Sequence, residues 1–268
     1  MIDPEFQHLK NTRSIKFYVA NYLQTISGEI RGARVADLPA GVGATSMVLR
    51  DLGADVEPYD LFPESFSVDG LICRSIDLSK NFSLESDCYN VVVCQEGIEH
   101  VSDQNMLIGE LSRILAPGGK LIVTTPNYSS LASKLAYLMF ESEFSKRMPP
   151  NVHDDIWWED GGRRYFGHVF LIGIQKLNTL ASIHGLKLVS VEKNVVSRGS
   201  VVMAFMLYPL VFLFSLKTFI KRSILQRNSL SEELCFRQQW LLNISPSVLT
   251  QKYLFLVYEK TKSSSNMD

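Results

Sequence analysis

Short apolar runs alternate with amphipathic segments along the first half of the chain. Apolar residues recur at helical spacing over 44–53 and 105–115, and β-rich runs separate these segments. The runs are 33–38 (ARVADL), 55–61 (DVEPYDL), a shorter one ending at Asp77, 89–94 (YNVVVC) and 119–125 (GKLIVTT). Strands that alternate with helices form βαβ units, so the pattern predicts an α/β fold with a parallel sheet and helices on both faces.

Further elements flank this region. A lead-in helix is predicted at 14–26, and an amphipathic helix near 172–186 closes at Gly185. Two more β-rich runs, at 187–196 and 252–262, supply a sixth and a seventh strand. We therefore expect the chain to form one domain over residues 1–268.

Two segments do not fit the alternation. The first, 127–170, follows the fifth strand; it begins with a predicted helix at 129–141 and continues as a long loop rich in Pro, Trp and Gly. The second, 197–250, lies between the sixth and seventh strands. Both are predicted to be cap insertions that emerge over the ligand-binding edge of the sheet and roof the site.

The second insertion carries a stretch of sixteen residues without a charge, 201–216 (VVMAFMLYPLVFLFSL), followed by basic residues. Spanning a membrane takes roughly 20 apolar residues, and Pro209 interrupts the run. An interfacial helix or a buried cap helix is therefore favoured over a transmembrane helix. The basic residues are Lys217, Lys221, Arg222 and Arg227. Since cations attract anionic lipid, contact with a membrane surface through 201–222 is a further expectation.

Composition narrows the choice of partners. The net charge is −1, so no overall positive field indicates nucleic acid as a partner. The four cysteines show no C-x-x-C spacing, and the amino terminus has no apolar core of the kind found in secretory signals. These features favour a reducing, cytoplasmic location, with peripheral contact to a membrane as the variant suggested by 201–222.

Candidate ligand-binding residues follow the first three strands. Asp37 ends the first strand beside Gly41 and Gly43, Asp60 ends the second, and Asp77 follows the third. In open parallel sheets ligands bind at the carboxyl ends of the strands, where a carboxylate can accept hydrogen bonds from both ribose hydroxyls. A dinucleotide fingerprint G-x-G-x-x-G is a weaker match, because Ser46 occupies the third glycine position. The simplest alternative is a tight strand-to-helix turn.

Taken together, these segments resemble the class I S-adenosylmethionine-dependent methyltransferases of type 11/12, and in particular the ubiquinone-type O-methyltransferases. DLPAGVG (37–43) is similar to their first motif, with Pro39 in place of the first glycine. YNVVVCQEGIEHV (89–101) and LSRILAPGGKLIVTTPN (111–127) look like their fourth strand and the segment into their fifth. The resemblance implies a Rossmann-like, seven-stranded, mostly parallel sheet whose last strand is antiparallel.

The resemblance also implies S-adenosyl-L-methionine as the cofactor. Its expected contacts are Asp37, Gly41, Gly43, Asp60, Leu61, Asp77, Leu78 and Gln95. The helix that follows the glycine loop would present its amide groups to the carboxylate of the cofactor. Arg13 is a further candidate for that carboxylate, although a surface position is its simplest interpretation.

On the acceptor side, QEGIEH (95–100) is similar to the E-x-x-E-H segment that binds a divalent metal in ubiquinone-type and small-RNA-type O-methyltransferases. The implied ligands are Glu96, Glu99, His100 and His168, and Mg, Mn or Zn would suit them. Alternatively, Glu99 and His100 form the pair found in metal-free members of the family, which shapes the pocket or caps a helix. The second interpretation is favoured, so a metal is possible but not expected.

The loop NVHDDIWWED (151–160) offers a general base, His153, beside Asp154 and Asp155, with Trp157 and Trp158 to pack on an acceptor ring. The alternative is a solvated acidic turn. The candidate catalytic residues are therefore His100, His153 and His168.

The resulting hypothesis is methyl transfer to oxygen on a small or lipid-linked acceptor, such as a sugar, a quinone-like ring or a lipid. One rival is a binding protein that keeps the fold without turnover, which Pro39 in the cofactor loop would support. A second rival is an RNA 2′-O-methyltransferase using Glu96, Glu99, His100 and His168, which requires a basic groove that this nearly neutral chain does not indicate.

Overall fold

The structure is a computed structural model that describes residues 4–142, 149–158, 164–225 and 230–261. Within these ranges the chain forms nine strands. They are β1 Arg34–Asp37, β2 Asp55–Asp60, β3 Arg74–Ser75, β4 Tyr89–Gln95, β5 Leu115–Pro126, β6 Ile156–Trp158, β7 Arg164–Phe166, β8 Leu186–Val191 and β9 Tyr253–Lys260. The predicted strands are all present, and β6 and β7 are additional.

Seven strands form one sheet in the order β3-β2-β1-β4-β5-β9-β8. Strands β1 to β5 pair in parallel, whereas β9 pairs antiparallel with both β5 and β8. This confirms the predicted Rossmann-like sheet with an antiparallel last strand. The strand order reverses between β1 and β4, because β2 and β3 are added on one side of β1 and β4 and β5 on the other. A crevice therefore opens at the carboxyl ends of β1 and β4.

Nine α-helices occur in the same ranges. They are α1 Ile15–Thr25, α2 Ser27–Ile30, α3 Ala44–Asp51, α4 Gln104–Ile114, α5 Leu131–Phe140, α6 Ile174–Ile183, α7 Arg198–Leu225, α8 Leu230–Ile244 and α9 Pro246–Thr250. Ser14, Asp103 and Ser130 begin α1, α4 and α5 with a side-chain hydrogen bond to a free backbone amide of the first turn.

The helices cover both faces of the sheet, as the sequence predicts. Successive strand residues point to opposite faces, so in β4 Val91 and Val93 pack with α1 and α3, while Val92 and Cys94 pack with α4 and α6. Side chains in both clusters are almost completely buried. The sheet is therefore the rigid centre of the domain and fixes the positions of the loops at its carboxyl edge.

The two insertions take different forms. In the first, a short hairpin of β6 and β7 replaces part of the predicted loop, with Ile156 paired to Phe166. In the second, α7 runs for 28 residues through Pro209 without interruption, so the expectation that this proline breaks the run is wrong. Helix α7 packs along α8, and Asn243 donates a hydrogen bond of 2.5 Å to the Ser215 hydroxyl.

Helix α7 is not the buried cap helix that the sequence allows as one alternative. The segment Arg198–Ser223 has the length and apolar composition of a membrane-crossing helix, yet only 6% of its most apolar window is buried. Of the four basic residues that follow the apolar stretch, Lys217, Lys221 and Arg222 are exposed on α7. Arg227 lies outside the described residues.

Candidate active site at the carboxyl edge of the sheet

A cavity of about 540 Å³ lies at the carboxyl ends of β1, β2 and β4. Its floor is the loop from Pro39 to Val42 between β1 and α3, and its far wall follows β4 through Glu96 to His100. Tyr165 and Phe166 of β7 close it from above. The crevice predicted from the strand order is thus a partly covered cavity to which the β6–β7 hairpin contributes Tyr165 and Phe166.

The glycine loop is held open by contacts between its backbone and β2. The Gly41 amide donates to Asp60 Oδ2 at 2.8 Å, and the Ala40 amide donates to the Tyr59 carbonyl at 2.8 Å. Gly43 has φ +96° at the start of α3, and a Cβ there would lie 2.4 Å from Val68 Cγ2. Glycine is required at this position because an L side chain would be strained by the backbone and would also collide with Val68.

Two of the predicted acids line the cavity. Asp60, 8% exposed, accepts from the amides of Gly41 and Phe62 and keeps further acceptor capacity toward the cavity. Asp77 lies two residues beyond β3. Its burial raises its pKa, but hydrogen bonds from Ser79 and ion pairing with Lys80 at 2.9 Å outweigh this and lower the pKa overall. Both carboxylates are therefore placed to accept hydrogen bonds from a ligand in the cavity.

Asp37 lies behind the loop and not in the cavity wall. It is 1% exposed, and its Oδ2 accepts a 2.5 Å hydrogen bond from the Ser46 hydroxyl. Burial raises the pKa of Asp37 to about 7, and Ser46 and Lys16 only partly offset that effect. The other oxygen, Oδ1, is buried without a hydrogen-bond partner among the described residues. Asp37 thus connects the end of β1 to α3 behind the glycine loop.

Among the remaining predicted cofactor residues, some line the cavity and one lies behind it. Leu61, Leu78 and Gln95 line the cavity, and Gln95 accepts a 2.7 Å hydrogen bond from the Thr45 hydroxyl. Gly43 does not line it; it packs against Phe66 and Val68. Six of the eight predicted positions therefore meet in one cavity, and two support it from behind.

The sequence reasoning missed one cation. Lys16 of α1 lines the cavity, one helical turn beyond Arg13, which is exposed and takes no part in it. Helical periodicity could have indicated this position. Lys16 lies next to Ile15 and three residues before Val19, and both of these residues are on the buried face of α1. Lys16 thus brings a positive charge to the cavity wall.

Two glutamates lie on the acceptor side of the site, Glu96 partly buried and Glu99 fully buried. Glu96, with φ +55° just after β4, lines the cavity; burial raises its pKa to about 7, and Lys16 opposes that rise. Glu99 is completely buried, and burial followed by the charge of Glu96 raises its pKa to about 8. Thr125 donates to Glu99 Oε2 at 3.0 Å, whereas Oε1 has no hydrogen-bond partner in the described chain.

His100 is the best-placed proton acceptor. Its Nδ1 lies 2.6 Å from the Phe166 carbonyl and 3.1 Å from the Gly167 carbonyl. A carbonyl can only accept, so Nδ1 carries the proton and Nε2 presents its lone pair, to which the Tyr165 hydroxyl donates at 3.1 Å. Burial lowers the pKa of His100 despite these carbonyls, and the neutral imidazole can therefore take a proton at neutral pH.

Three of the four predicted metal ligands also come together. Ligand atoms of Glu99, His100 and His168 all lie within 4.8 Å of one another, and His168 Nε2 is 3.9 Å from the unpaired Glu99 Oε1. The imidazoles of His100 and His168 stack with ring centroids 5.3 Å apart. Glu96 is not part of this group. One carboxylate and two imidazoles fit a divalent cation, and the orphaned Glu99 oxygen would be its anionic ligand.

The predicted base His153 lies outside the cavity. It is exposed in a turn where the Asn151 side chain accepts from the amides of His153 and Asp154. Asp155 is buried in the same turn and accepts from the Asn151 amide. The loop thus forms a turn at the surface whose polar groups hydrogen-bond to one another, and the role of His153 as a base stays a prediction.

Tyr165 takes the place over the cavity that sequence reasoning gave to the tryptophans. Its ring lies 4.9 Å from His100 and 6.0 Å from Phe62, and burial raises its pKa to about 12. Trp157 packs on the outside of Tyr165 at 5.6 Å and is half exposed. The side chain of Trp158 lies outside the described residues.

Only the first insertion contributes to this cavity. In the described ranges no residue of 197–250 lines it, so the expectation that both insertions roof the site is wrong for the second. Helices α7 and α8 contact α5, α6 and α9 instead. The topology predicted the edge of the sheet at which the second insertion begins, but it did not predict where the helices of that insertion pack.

Comparison with known proteins gives a consistent result. A family model described as a methyltransferase domain matches residues 12–191. The ubiquinone biosynthesis O-methyltransferase of Xanthomonas oryzae pv. oryzae is 32% identical over 134 residues, covering 47% of this chain and 56% of that protein. The mitochondrial enzyme of the same name from Rattus norvegicus is 26% identical over 169 residues, covering 57% and 48%. The chain thus spans about half the length of these curated relatives.

Solved structures support the fold. An S-adenosylmethionine-dependent methyltransferase from Archaeoglobus fulgidus superposes with a TM-score of 0.53 at 14% identity, covering 96% of this chain and 100% of that one. One from Mesorhizobium loti gives a TM-score of 0.50 at 14% identity, covering 89% and 96%. At these identities the likeness concerns the architecture alone.

Proposed function

The chain belongs to the methyltransferase-domain family, and from that premise we propose that it transfers a methyl group from S-adenosylmethionine to a hydroxyl oxygen of a small or amphiphilic acceptor. One observation carries the proposal. A single cavity joins Gly41, Asp60 and Asp77, which are expected to hold the donor, to a neutral histidine with an accepting nitrogen.

The donor half of the cavity supplies complementary charges. Asp60 and Asp77 would accept hydrogen bonds from the nucleoside, and Lys16 would pair with the carboxylate of the methionine moiety. The open loop at Gly41 lets the backbone approach the ligand closely. Because the methyl group of a sulfonium is already activated, this half of the site needs only to orient the S–CH3 bond.

The acceptor half of the cavity would remove one proton from the acceptor hydroxyl. The acceptor oxygen forms a bond to the methyl carbon as the bond from carbon to sulfur breaks, and the hydroxyl proton passes to His100 Nε2. The Phe166 carbonyl fixes the tautomer that makes this possible. Tyr165 occupies Nε2 in the absence of acceptor, so an incoming hydroxyl would displace its hydrogen bond.

Two features support an amphiphilic acceptor such as a quinone-like ring or a lipid-linked sugar. The curated relatives carry ubiquinone biosynthesis and O-methylation in their names, which favours oxygen as the acceptor atom. In addition, the exposed apolar helix α7 would bring the protein to a membrane surface. The proposal places the reaction in the cytoplasm, with the acceptor delivered from that surface.

A metal-assisted version of the same reaction is a second candidate. It is favoured by the position of Glu99, His100 and His168 and by the unpaired Glu99 Oε1. These three residues would hold a divalent cation such as Mg, Mn or Zn, which would polarise the hydroxyl when bound. Isothermal titration with Mn²⁺ and Zn²⁺ tests it: binding that is lost in Glu99→Gln supports the site, and equal heats in both proteins exclude it.

Calorimetric titration with S-adenosylmethionine tests donor binding. We expect a micromolar-range Kd for the wild type and at least tenfold weaker binding for Asp60→Ala, which removes a charged acceptor from the ribose site. Asp69→Ala is the matched control, since Asp69 is exposed and uses only its backbone carbonyl in the structure. No binding at millimolar donor would contradict the enzyme proposal and favour a protein that keeps the fold without turnover.

An acceptor screen with labelled donor then separates substrate classes. Transfer to phenolic, sugar or lipid hydroxyls supports the proposal. Transfer to the 2′-hydroxyl of RNA alone would contradict it in favour of an RNA methyltransferase.

A further inference from the structure

Helix α7 exposes far more apolar surface than a soluble protein normally presents. Phe205 is 92% exposed, Met206 70% and Phe214 67%. The remaining exposed apolar residues of α7 are Val201, Val202, Leu207, Leu210, Leu213 and Ile220. Helix α5 packs beside α7 and adds Leu138, Met139 and Phe140 to the same region. We call these residues of α5 and α7 the apolar surface; contiguous apolar areas of this kind mark interaction sites.

The apolar surface extends around α7 and is not confined to one face. At 3.6 residues per turn, the exposed positions from Val202 to Phe214 cover somewhat more than half of the helix circumference. The face that contains Phe212 and Phe219 packs on α8, where Trp240 lies 5.1 Å from Phe219 and 6.2 Å from Phe212. A flat contact with a second copy would cover one face of α7, whereas acyl chains can surround an exposed helix on several sides.

The charges of α7 favour an anionic lipid surface as the partner. The helix contains no acidic residue. Its cations lie at its two ends, with Arg198 before the apolar stretch and Lys217, Lys221 and Arg222 after it, all of them exposed. Basic residues that flank an apolar segment meet the phosphate groups of a bilayer while the apolar part enters its acyl region.

The connections of α7 exclude a simple crossing of the membrane. The chain entering α7 and the chain leaving α9 are joined at their base, because Val196 bridges to Gln251 and the Ser197 amide donates to the Thr250 carbonyl at 2.8 Å. If α7 crossed a bilayer, α8 would have to return through it for β9 to reach the sheet.

Helix α8 is unsuited to that return. Its 15 residues span about 22 Å, less than the roughly 30 Å of a bilayer core. It also carries three exposed charges, Glu232, Glu233 and Arg237. Helix α7 must therefore stay on the side of the membrane where the sheet is.

We propose that the apolar surface of α5 and α7 inserts into one leaflet of an anionic bilayer, with α7 parallel to the membrane plane and α8 on its aqueous side. The basic end of α7 meets lipid phosphates. The site extends the proposed function by naming the lipid and the residues that contact it, but it shares no lining residue with the methyl-transfer cavity in the described ranges. Its test therefore does not depend on the outcome of donor binding.

Flotation with vesicles is the first experiment. The wild-type protein should float with vesicles of phosphatidylcholine containing about one third phosphatidylglycerol, and more weakly with phosphatidylcholine alone. The double variant Phe205→Asp, Phe214→Asp should bind at least tenfold less to both. Ile72→Asp is the matched control, because Ile72 is an apolar residue that is 83% exposed outside the apolar surface, and it should float like the wild type.

Charge removal separates the two parts of the contact. Lys217→Gln and Lys221→Gln should each lower binding to anionic vesicles about fivefold and leave binding to neutral vesicles unchanged. Equal loss on both vesicle types would overturn the assignment of the basic end to lipid phosphates.

Thiol labelling tests the position of the helices in the bound state. Cys235 on α8 is exposed, so it should react with a membrane-impermeant maleimide equally with and without vesicles. In the Phe205→Cys variant the new thiol on α7 should become protected when vesicles bind. Protection of Cys235 would overturn the single-leaflet arrangement, since it would place α8 in the bilayer.

Two results would overturn the proposal as a whole. One is wild-type protein that remains unbound on both vesicle types. The other is a stable dimer by analytical ultracentrifugation that dissociates in the double Asp variant and does not bind vesicles, which would make the apolar surface an interface between copies. Circular dichroism and urea unfolding of the same samples should be unchanged in every variant, which shows that each is folded whether or not it binds the methyl donor.

Discussion

The cavity and the α7–α8 hairpin differ from the usual distribution of residues in proteins in two contrasting ways. Around the cavity, ionisable groups are buried: Asp37 and Glu99 are almost fully shielded, and each has an oxygen without a partner among the described residues. On α7, large apolar side chains such as Phe205 face solvent. Buried polar groups without a partner and exposed apolar surface are the two arrangements that folding alone disfavours. These two arrangements are the basis of the two proposals, a polar ligand in the cavity and a lipid surface on the helix.

The largest expected effect is a loss of catalysis that should affect the cavity and leave the function of α7 unchanged. His100→Gln keeps a side-chain donor for the Phe166 carbonyl but cannot take a proton, so kcat should fall by about 10²- to 10⁴-fold with donor Kd unchanged. Vesicle binding should also be unchanged. His153→Gln should retain activity, as should His8→Gln, because both histidines are exposed. A large loss in His153→Gln would restore the sequence hypothesis that this residue is the base.

The second effect compares a glycine from each region. Gly43→Ala should destabilise the protein by about 1–3 kcal/mol and weaken donor binding, because it combines a strained φ with a collision at Val68. Gly199→Ala in α7 has no atom within 4 Å of the new Cβ and should be neutral or stabilising by up to about 1 kcal/mol. Urea unfolding measures both. Equal destabilisation would show that α7 is packed more tightly than the structure indicates.

The third effect is a pH dependence that arises at the buried Glu99 beside the cavity. The pKa of Glu99 is near 4.5 when unfolded and about 8 in the folded protein, so between these values the native state binds more protons than the unfolded state. Stability contributed by Glu99 is therefore fully present below about pH 4.5 and is lost as pH rises toward 8. Glu99→Gln cannot ionise, and its Tm should exceed that of the wild type by a margin that grows from about pH 5 to about pH 9.

The exposed Glu85→Gln provides the control for this experiment and should follow the wild type at every pH. Flotation with vesicles should not change over the same range, since α7 contains no carboxyl group and lies outside the cavity. A constant margin between Glu99→Gln and wild type would mean that Glu99 stays ionised in the fold, for example through a bound cation.

Much of the fold followed from the sequence because periodicity is a local signal. Alternation of β-rich and amphipathic segments predicted the parallel sheet, and the ends of β1 and β2 at Asp37 and Asp60 followed from it. The same approach predicted α1, α3, α4 and α6 to within a few residues. It failed at the β6–β7 hairpin, whose strands are three residues each and are too short to show a period.

Residues of the site could be predicted from the sequence where a suitable side chain lies at or just after the end of a predicted strand. Asp60 and Asp77 were found in this way. Lys16 and Tyr165 were missed because each reaches the cavity from an element distant in sequence, α1 and β7. Conversely, His153 carries a suitable side chain in a suitable insertion, but its turn is closed by Asn151 and faces solvent.

The sequence by itself determined the order of strands and helices, the glycine loop with its acids, and the uncharged stretch of α7, because each depends on residues near one another in the chain. Only the tertiary structure decided which side chains share a space. It assembled Glu99, His100, His168 and Tyr165 across more than sixty residues of sequence, and it left α7 exposed when composition allowed a buried cap. Burial, and the pKa values and partner preferences that follow from it, arises from packing between distant elements and so cannot be read from a local pattern.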